Sequence, residues 1–476
     1  MENQKQIPVY QVLLVLAFLL GTLYYTIMVI EGWIHIPLIF TAAFATIIAV
    51  VNGYKWKYIE NGIIETISRS MQAVLILMIV GVLIGSWIVA GIVPAMIYYG
   101  LQILSPGIFL VATCLICCIV SLATGSSWTT AATVGIALIG VGAGLGIPLP
   151  MAAGAIISGA YFGDKMSPLS DTTNLAPAMA GATLFDHVRH MVWTTGPSLI
   201  ISLVLFGILG ARYAGKDMDT AAIDSILTGL SDNFSISPLL IIPPLLVIAM
   251  VVFKVPAMPG LLGGVVLGGI FAMIFQGSDM GTLFYAFYEG FTSDLGDEFL
   301  NSLLQRGGLS SMYYTVALIL CALSFGGVLD STGMLKTLAV AMLGKAKGTG
   351  SLVAATLASC FVTNFVAGDQ YLSLVVPGRM FKEMYEDRKL KPKNLSRALE
   401  DGGTLTSPLV PWNTCGTYMT TVLGVATVAY IPYCFLNIIN PFVSLFYGIT
   451  GISMEKMSEE EYQAVLAARE IKSIVA

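Results

Sequence analysis

The run Ser167-Pro168-Leu169-Ser170-Asp171-Thr172-Thr173-Asn174 is a compact polar island in a stretch otherwise apolar enough to cross a bilayer. Proline inside such a stretch frees backbone carbonyls and amides. Lipid cannot satisfy those groups, so the break must face protein or a water-filled cavity. A related run, Ser407-Pro408-Leu409-Val410-Pro411-Trp412-Asn413-Thr414, follows 240 residues later. Two such breaks, one in each half, are the pattern that points to a transporter's binding site.

Around these islands the 476-residue chain is 56% hydrophobic and 11% charged, where soluble domains carry about 25% charge. An all-α integral membrane protein follows, with room for ten or more spans of about 20 residues each. The 49 glycines suit close helix packing and broken helices. A net charge of −5, carried mostly in loops, offers no basic surface for nucleic acid. The first apolar run, 9–30, is too long for a cleavable signal and reads as a retained span. Cys114-Leu115-Ile116-Cys117-Cys118 contains a C-x-x-C spacing, but no His is near it and its run is apolar. Packing by small residues is expected there rather than metal or redox chemistry. The glycines of 140–146 miss the G-x-G-x-x-G spacing and follow no strand. No nucleophile–base pair or metal spacing argues for an enzyme, and no cofactor is expected.

Lys and Arg mark cytoplasmic loops. Spans 9–30 and 37–51 flank a loop holding Glu31 and His35, and the second exits at Lys55 and Lys57, which places the N-terminus inside. Residues 58–72, with Arg69, read as an interfacial helix before span 73–90. The stretch 107–140 is interrupted at Thr124-Gly125-Ser126-Ser127-Trp128, and its flanks 94–106 and 141–150 carry no charge. Two full spans need about 40 residues, so this reads as a re-entrant hairpin opening outward. Residues 151–182 cross inward as a broken helix that emerges at 186–190. Span 191–209 leads to a net-acidic outside loop, 211–234, with Arg212 and Lys216 against Asp217, Asp219, Asp224 and Asp232.

The second half repeats the plan. Spans 239–252 and 261–275 turn inside at Lys254, the acidic stretch 279–298 matches 58–72, and 311–329 crosses inward. The stretch 350–377 is broken at 364–370 and is basic on both sides: Lys336, Lys345 and Lys347 before it, and seven Lys or Arg from Arg379 to Arg397 after it. Both ends are then cytoplasmic, and this hairpin opens inward. Residues 398–429 form the second broken span and 432–447 the last. The expected fold is two inverted repeats, each of five transmembrane helices plus one re-entrant hairpin, with broken helices at the midplane. Five is odd, which requires the inversion. The first repeat covers 1–211, with its hairpin at about 107–140 and broken helix at about 151–182. An extracellular linker, 212–236, precedes the second repeat, 237–451, with its hairpin at about 350–377 and broken helix at about 398–429. A cytoplasmic tail, 452–476, follows. Residues 118–127 parallel 360–369 at an offset of 242, which aligns Ser127 with Asp369.

Four polar tips are expected to meet. The first hairpin offers Ser126, Ser127, Thr129 and Thr130, and the second Asn364, Asp369 and Gln370. The first broken span offers Asp164, Ser167, Asp171, Thr172, Thr173 and Asn174. The second offers Glu400, Asp401, Thr404, Thr406, Ser407, Asn413 and Thr414. Hydroxyls, amides and freed carbonyls are hard oxygen donors suited to Na⁺, expected at Asp171, Thr172, Asn174 and Ser127. Ionised carboxylates in a membrane are costly, which singles out Asp171 and Asp369. A buried carboxylate holds a proton or a sodium ion but not both favourably, the minimum physics of an antiporter. The alternative for Asp171 is a cap on the amides of 172–174. Asp164-Lys165 reads equally as a neutralised pair near the break. Asp401 reads equally, and Glu400 more readily, as a first-turn acid toward the cytoplasmic edge. His187 and His190, beside Arg189, read as a juxtamembrane cluster rather than a pH sensor. Trp128 and Trp412 are stacking walls for an organic substrate or packing between hairpin and broken helix.

The run Ser158-Gly-Ala-Tyr-Phe-Gly-Asp-Lys-Met-Ser-Pro-Leu-Ser-Asp-Thr-Thr-Asn174, with Gly125-Ser-Ser127, His187 to His190, Gly368-Asp-Gln-Tyr371 and Asp401 through Asn413, resembles the NhaC family of sodium/proton antiporters. The resemblance covers nearly the whole chain. It implies a bacterial cytoplasmic-membrane antiporter of Na⁺ and H⁺, often a homodimer with an elevator-like transport domain. It also implies inverted repeats and paired re-entrant hairpins, whose tips and broken-helix motifs form the ion and substrate sites. Malate/lactate exchangers coupled to sodium and protons are similar in these motifs, which makes a small organic anion the alternative substrate. A dicarboxylate site would welcome a buried Arg clamp, and Arg189, Arg379 and Arg397 are all expected at span ends. That favours cation exchange, although helix N-termini also bind carboxylates.

Overall fold

The computed structural model describes residues 6–214, 220–343 and 348–475. Lys216, Asp217 and Asp219 of the acidic loop, and Lys345 and Lys347 before the second hairpin, lie outside the described residues. Among the described residues the fold is helical, with eight helices long and apolar enough to cross a membrane, or ten if each of two bent pairs is one span. Large apolar side chains such as Leu13, Leu14, Phe40, Ile200 and Val204 stand exposed on these helices, as they do on a surface solvated by lipid.

The first hairpin is Pro106–Thr124 followed by Ser127–Gly144, and the second is Thr349–Ala367 followed by Gln370–Asp387. Both turn in the same way. Gly125 (φ +68°) and Gly368 (φ +66°) end the first arms in the left-handed conformation that glycine adopts without strain. The next residue then caps the second arm: the Ser126 hydroxyl accepts from the Thr129 N–H, and Asp369 accepts from the Leu372 N–H. The capping role therefore equates Asp369 with Ser126, one residue off the expected match with Ser127.

Both polar islands break their helices. In the first half, Leu149–Met166 stops and Asp171–Ala180 resumes. In the second, Pro392–Leu399 runs on through a π-helical turn, Glu400–Thr404, and helix resumes at Thr414–Leu423. The second break, with two prolines, is the longer. Gly159 and Gly163 let Leu149–Met166 lie directly on the first hairpin arm, because a Cβ at Gly159 would overlap the Cys114 carbonyl and one at Gly163 the Leu122 amide. Cys114 and Cys117 are buried free thiols at that seam, in the packing role expected of them.

Several sequence expectations are corrected. Residues 58–72 are no separate interfacial helix but the first half of one 34-residue helix, Trp56–Val89, about 51 Å long. No proline interrupts it, and Arg69 pairs with Glu65 on the preceding turn and with Asp330. The acidic linker contains the helix Thr220–Asn233. Its apolar residues Ile223, Ile226, Leu227 and Leu230 recur at helical spacing and pack on the core. The stretch 279–298 is a short helix, Met280–Glu289, followed by irregular chain. Residues 186–190 are the opening turns of Leu184–Ala211, capped by Thr183, and His187 and His190 point inward and are buried.

Candidate functional site

Each glycine tip meets the break of its own half. A Cβ at Gly125 would stand 2.7 Å from Leu169 Cβ and 2.9 Å from the Ser170 nitrogen. The Gly368 carbonyl accepts from the Thr414 N–H at 2.9 Å, and the Trp412 indole donates to the Phe365 carbonyl at 2.6 Å. Side chains close both seams. Asp164 Oδ2 accepts from the Ser127 N–H at 3.2 Å and its hydroxyl at 2.6 Å. Asn413 donates to the Asn364 side-chain and main-chain oxygens, at 3.1 and 3.2 Å, while Asn364 donates to the Gly403 carbonyl at 2.6 Å.

Between the two seams lies a cavity of about 410 Å³. Asp164, Asp171 and Asp369 face it from the first broken helix and the second hairpin tip, with Ser126, Thr172, Thr414, Gln370 and Tyr371, and Lys254 stands on its wall. Trp128 also lines it, stacked at 4.0 Å on Tyr418, whose hydroxyl donates to the Trp128 carbonyl. The three acids differ. Asp171 is exposed and has the Tyr371 hydroxyl at 3.5 Å. Asp369 is 2% exposed and held by the Ser70 hydroxyl at 2.8 Å as well as by its capping bond. Asp164 is 8% exposed and held by the Ser127 N–H and hydroxyl, with the Ser170 side chain facing it as well. Among the described residues no three His, Cys, Asp or Glu side chains converge on one metal-binding point. Any cation in the cavity would therefore combine at most two carboxylates with hydroxyls, amides and carbonyls, the donor set expected of Na⁺.

The other expected site residues stand back from the cavity. Ser127 acts through Asp164. Thr173 and Asn174 satisfy the freed carbonyls of the break: Thr173 donates to those of Asp164 and Lys165, Asn174 to those of Pro168 and Ser170. Asn364 and Asn413 are fully buried in the second seam. Trp412 packs on Phe365 and is no cavity wall.

Asp401 is elsewhere. It lies fully buried with Lys165 as its ion-pair partner. Lys165 therefore neutralises an acid 236 positions away and not its neighbour Asp164. Asp401 Oδ1 also accepts from Asn440 at 2.6 Å and Thr194 at 3.1 Å. Arg397, expected at a span end, is 1% exposed beside this pair, and Glu400 is buried there too. His187 Nδ1 lies 2.6 Å from the Ser396 hydroxyl in the same region. A lysine within the apolar run 152–163 and its sequel was the available signal for this second cluster.

Two helix breaks and two hairpin tips around one acidic cavity, with eight or more helices able to cross a membrane among the described residues, are the architecture of a secondary transporter. The chain belongs to the Na⁺/H⁺ antiporter family, whose sequence pattern matches residues 159–452. It is 39% identical over 454 residues to the Na⁺/H⁺ antiporter NhaC of Alkalihalophilus pseudofirmus, covering 95% of this chain and 98% of that one. It is also 39% identical to the malate-2H⁺/Na⁺-lactate antiporter of Bacillus subtilis, with 95% and 96% covered. It is 37% identical to the arginine/ornithine antiporter ArcD of Halobacterium salinarum, with 90% and 89% covered.

Proposed function

We propose that the chain exchanges Na⁺ for H⁺ across the cytoplasmic membrane by alternating access, sodium leaving as protons enter. The observation that carries this reading is one cavity faced by three carboxylates and by the tips of both halves. Membership in the family supports it. Sodium would sit on Asp164 or Asp171 with Thr172 and neighbouring oxygens, without a resident cofactor. The matched glycine turns and caps support a repeated plan, 1–211 and 237–451, with one hairpin in each half. The distribution of Lys and Arg in the sequence supports the inverted relation, re-entrant hairpins and cytoplasmic termini, and two copies per transporter is carried over from the family resemblance. A second reading, coupled exchange of a small organic anion, draws on two features. The cavity falls within the range of about 300–1,000 Å³ typical of small-molecule pockets. Lys254 supplies it with a cation, and a malate-2H⁺/Na⁺-lactate antiporter is among the relatives.

Purified protein in liposomes with an internal pH dye separates the two. An imposed Na⁺ gradient alone is expected to move protons; movement that requires added malate or lactate would transfer the assignment to anion exchange. Asp171→Asn is expected to weaken apparent Na⁺ affinity about tenfold, for loss of one charge at an exposed wall. Unchanged affinity would make Asp171 only the first-turn acid of its helix. Cysteines at positions 143 and 391 should react with impermeant reagents from opposite faces, and labelling from one face would break the inversion.

A further inference from the structure

The second buried cluster contains a carboxylate, Glu400, that has no ion-pair partner among the described residues. Both carboxylate oxygens of Glu400 are buried, and the hydroxyl that faces them is that of Thr404, four residues on, which does not reach them with normal hydrogen-bond geometry. Glu400 begins the π-helical turn Glu400–Thr404, a distortion that recurs at functional sites. The cations around it are otherwise engaged. Lys165 is bonded to Asp401. Arg397 sends Nη1 to the Ser453 hydroxyl at 2.7 Å and Nη2 to the Met454 sulfur, and its Nε lies 4.0 Å from Asp401. An ionised carboxylate left in this state bears a heavy desolvation cost, whereas a neutral acid bears far less.

From these observations we infer that Glu400 is a proton-binding site of the transporter, separate from the cation cavity and coupled to it through the helix that carries Asp164 and Lys165. This rests on the antiport reading. Asp164 faces the cavity, while Lys165, the next residue, faces the cluster. The charged groups acting on Glu400 are Lys165 and Asp164 from that helix and Asp401 beside it. Thr349–Ala367 adds the thiol of Cys360, and His187, from Leu184–Ala211, faces Lys165 and Asp401. Tyr385, from Gln370–Asp387, faces Arg397 and Cys360. Phe435–Thr450 contributes Asn437, Asn440 and Ser444, each with an unpartnered oxygen.

With Glu400 ionised, Lys165 and Arg397 balance Asp401 and Glu400. With Glu400 protonated, the cluster carries one net positive charge. Sodium on Asp164 removes the negative charge that favours that proton, so Na⁺ binding releases it to water, and Na⁺ departure lets it return. No other reactant is required. The two cations exclude one another through space rather than by competing for a single carboxylate.

The test uses the full chain in liposomes, with ²²Na⁺/Na⁺ exchange at symmetric pH and Na⁺-driven proton flux measured in parallel. Glu400→Gln is expected to retain Na⁺/Na⁺ exchange, now with its pH dependence lost, and to lose proton flux by about tenfold or more. Absent Na⁺/Na⁺ exchange in the wild type would refute the antiport reading itself. Retained exchange with unchanged proton flux in Glu400→Gln would refute only the Glu400 assignment. Should that variant lose both, infrared difference spectra on Na⁺ addition decide. A protonated-carboxyl band lost from the wild type and displaced in Glu400→Asp supports the assignment; no such band, or one unmoved in Glu400→Asp, overturns it.

Discussion

Lys165→Met is expected to lower the stability of the folded protein by about 3–5 kcal/mol, because it leaves Asp401 charged, buried and without its ion-pair partner. Methionine matches the aliphatic length of lysine, so the loss is electrostatic and no cavity is opened. Asn440 and Thr194 still donate to Asp401 Oδ1, and Arg397 Nε lies 4.0 Å from Asp401 Oδ2, so partial compensation sets the lower end of the range. Adding Asp401→Asn removes the stranded charge while keeping an acceptor for Asn440. The double variant is therefore expected to recover most of the loss, the non-additivity that marks a coupled pair. Thermal unfolding of the four proteins of this cycle in one detergent measures it. A Lys165→Met protein that melts with the wild type, or a double variant less stable than either single one, would show that the pair does not hold this region together.

The part of this architecture legible in sequence is the part written in local chemistry. Pro168 and Pro408 announce the breaks, because proline lacks the N–H that a helix interior needs, and Gly125 and Gly368 announce the hairpin turns, because glycine takes the left-handed conformation without strain. Asp369 is legible as a polar residue at a hairpin tip, and its capping bond reaches only three residues along. The Lys165–Asp401 pair is not legible in this way. Its partners are 236 residues apart, and each stands beside a nearer acid or cation that reads as the natural neighbour. The burial of Arg397 and His187 is hidden for a related reason. Charged residues close in sequence look like a membrane edge, yet here they turn toward one another across helices. The helix at Thr220–Asn233 shows the opposite failure: its apolar spacing was present, but the acids around it dominate a reading by charge. What sequence leaves open is which polar residues share a compartment. The structure divides the acids into two sets, Asp164, Asp171 and Asp369 at the cavity and Glu400 with Asp401 behind it.

That division makes Asp164 the cavity acid with the largest expected effect on transport. Its carboxylate faces the cavity from the broken helix itself, with both Ser127 bonds on Oδ2, whereas Asp369 is tied at one oxygen to Ser70 and at the other to its own helix cap. Asp164→Asn keeps an oxygen able to accept from the Ser127 N–H and hydroxyl, so the seam between hairpin and broken helix should persist and the melting temperature should move little. Its charge is what is lost. A unit charge 4 Å from a cation is worth about 4 kcal/mol at an effective dielectric of about 20. The asparagine carbonyl restores part of that, so the net loss is about 3 kcal/mol, or about a hundredfold in Na⁺ affinity. The concentration dependence of ²²Na⁺ uptake into liposomes reads this directly, and a wild-type curve in Asp164→Asn would reduce Asp164 to a seam residue. If sodium on Asp164 also displaces the proton of Glu400, the variant has a second signature. Glu400 then loses the neighbouring negative charge permanently, and residual transport should become less dependent on pH even at saturating Na⁺. Asp171→Asn, farther from the buried cluster along the chain and on the exposed wall, should weaken sodium without flattening that profile.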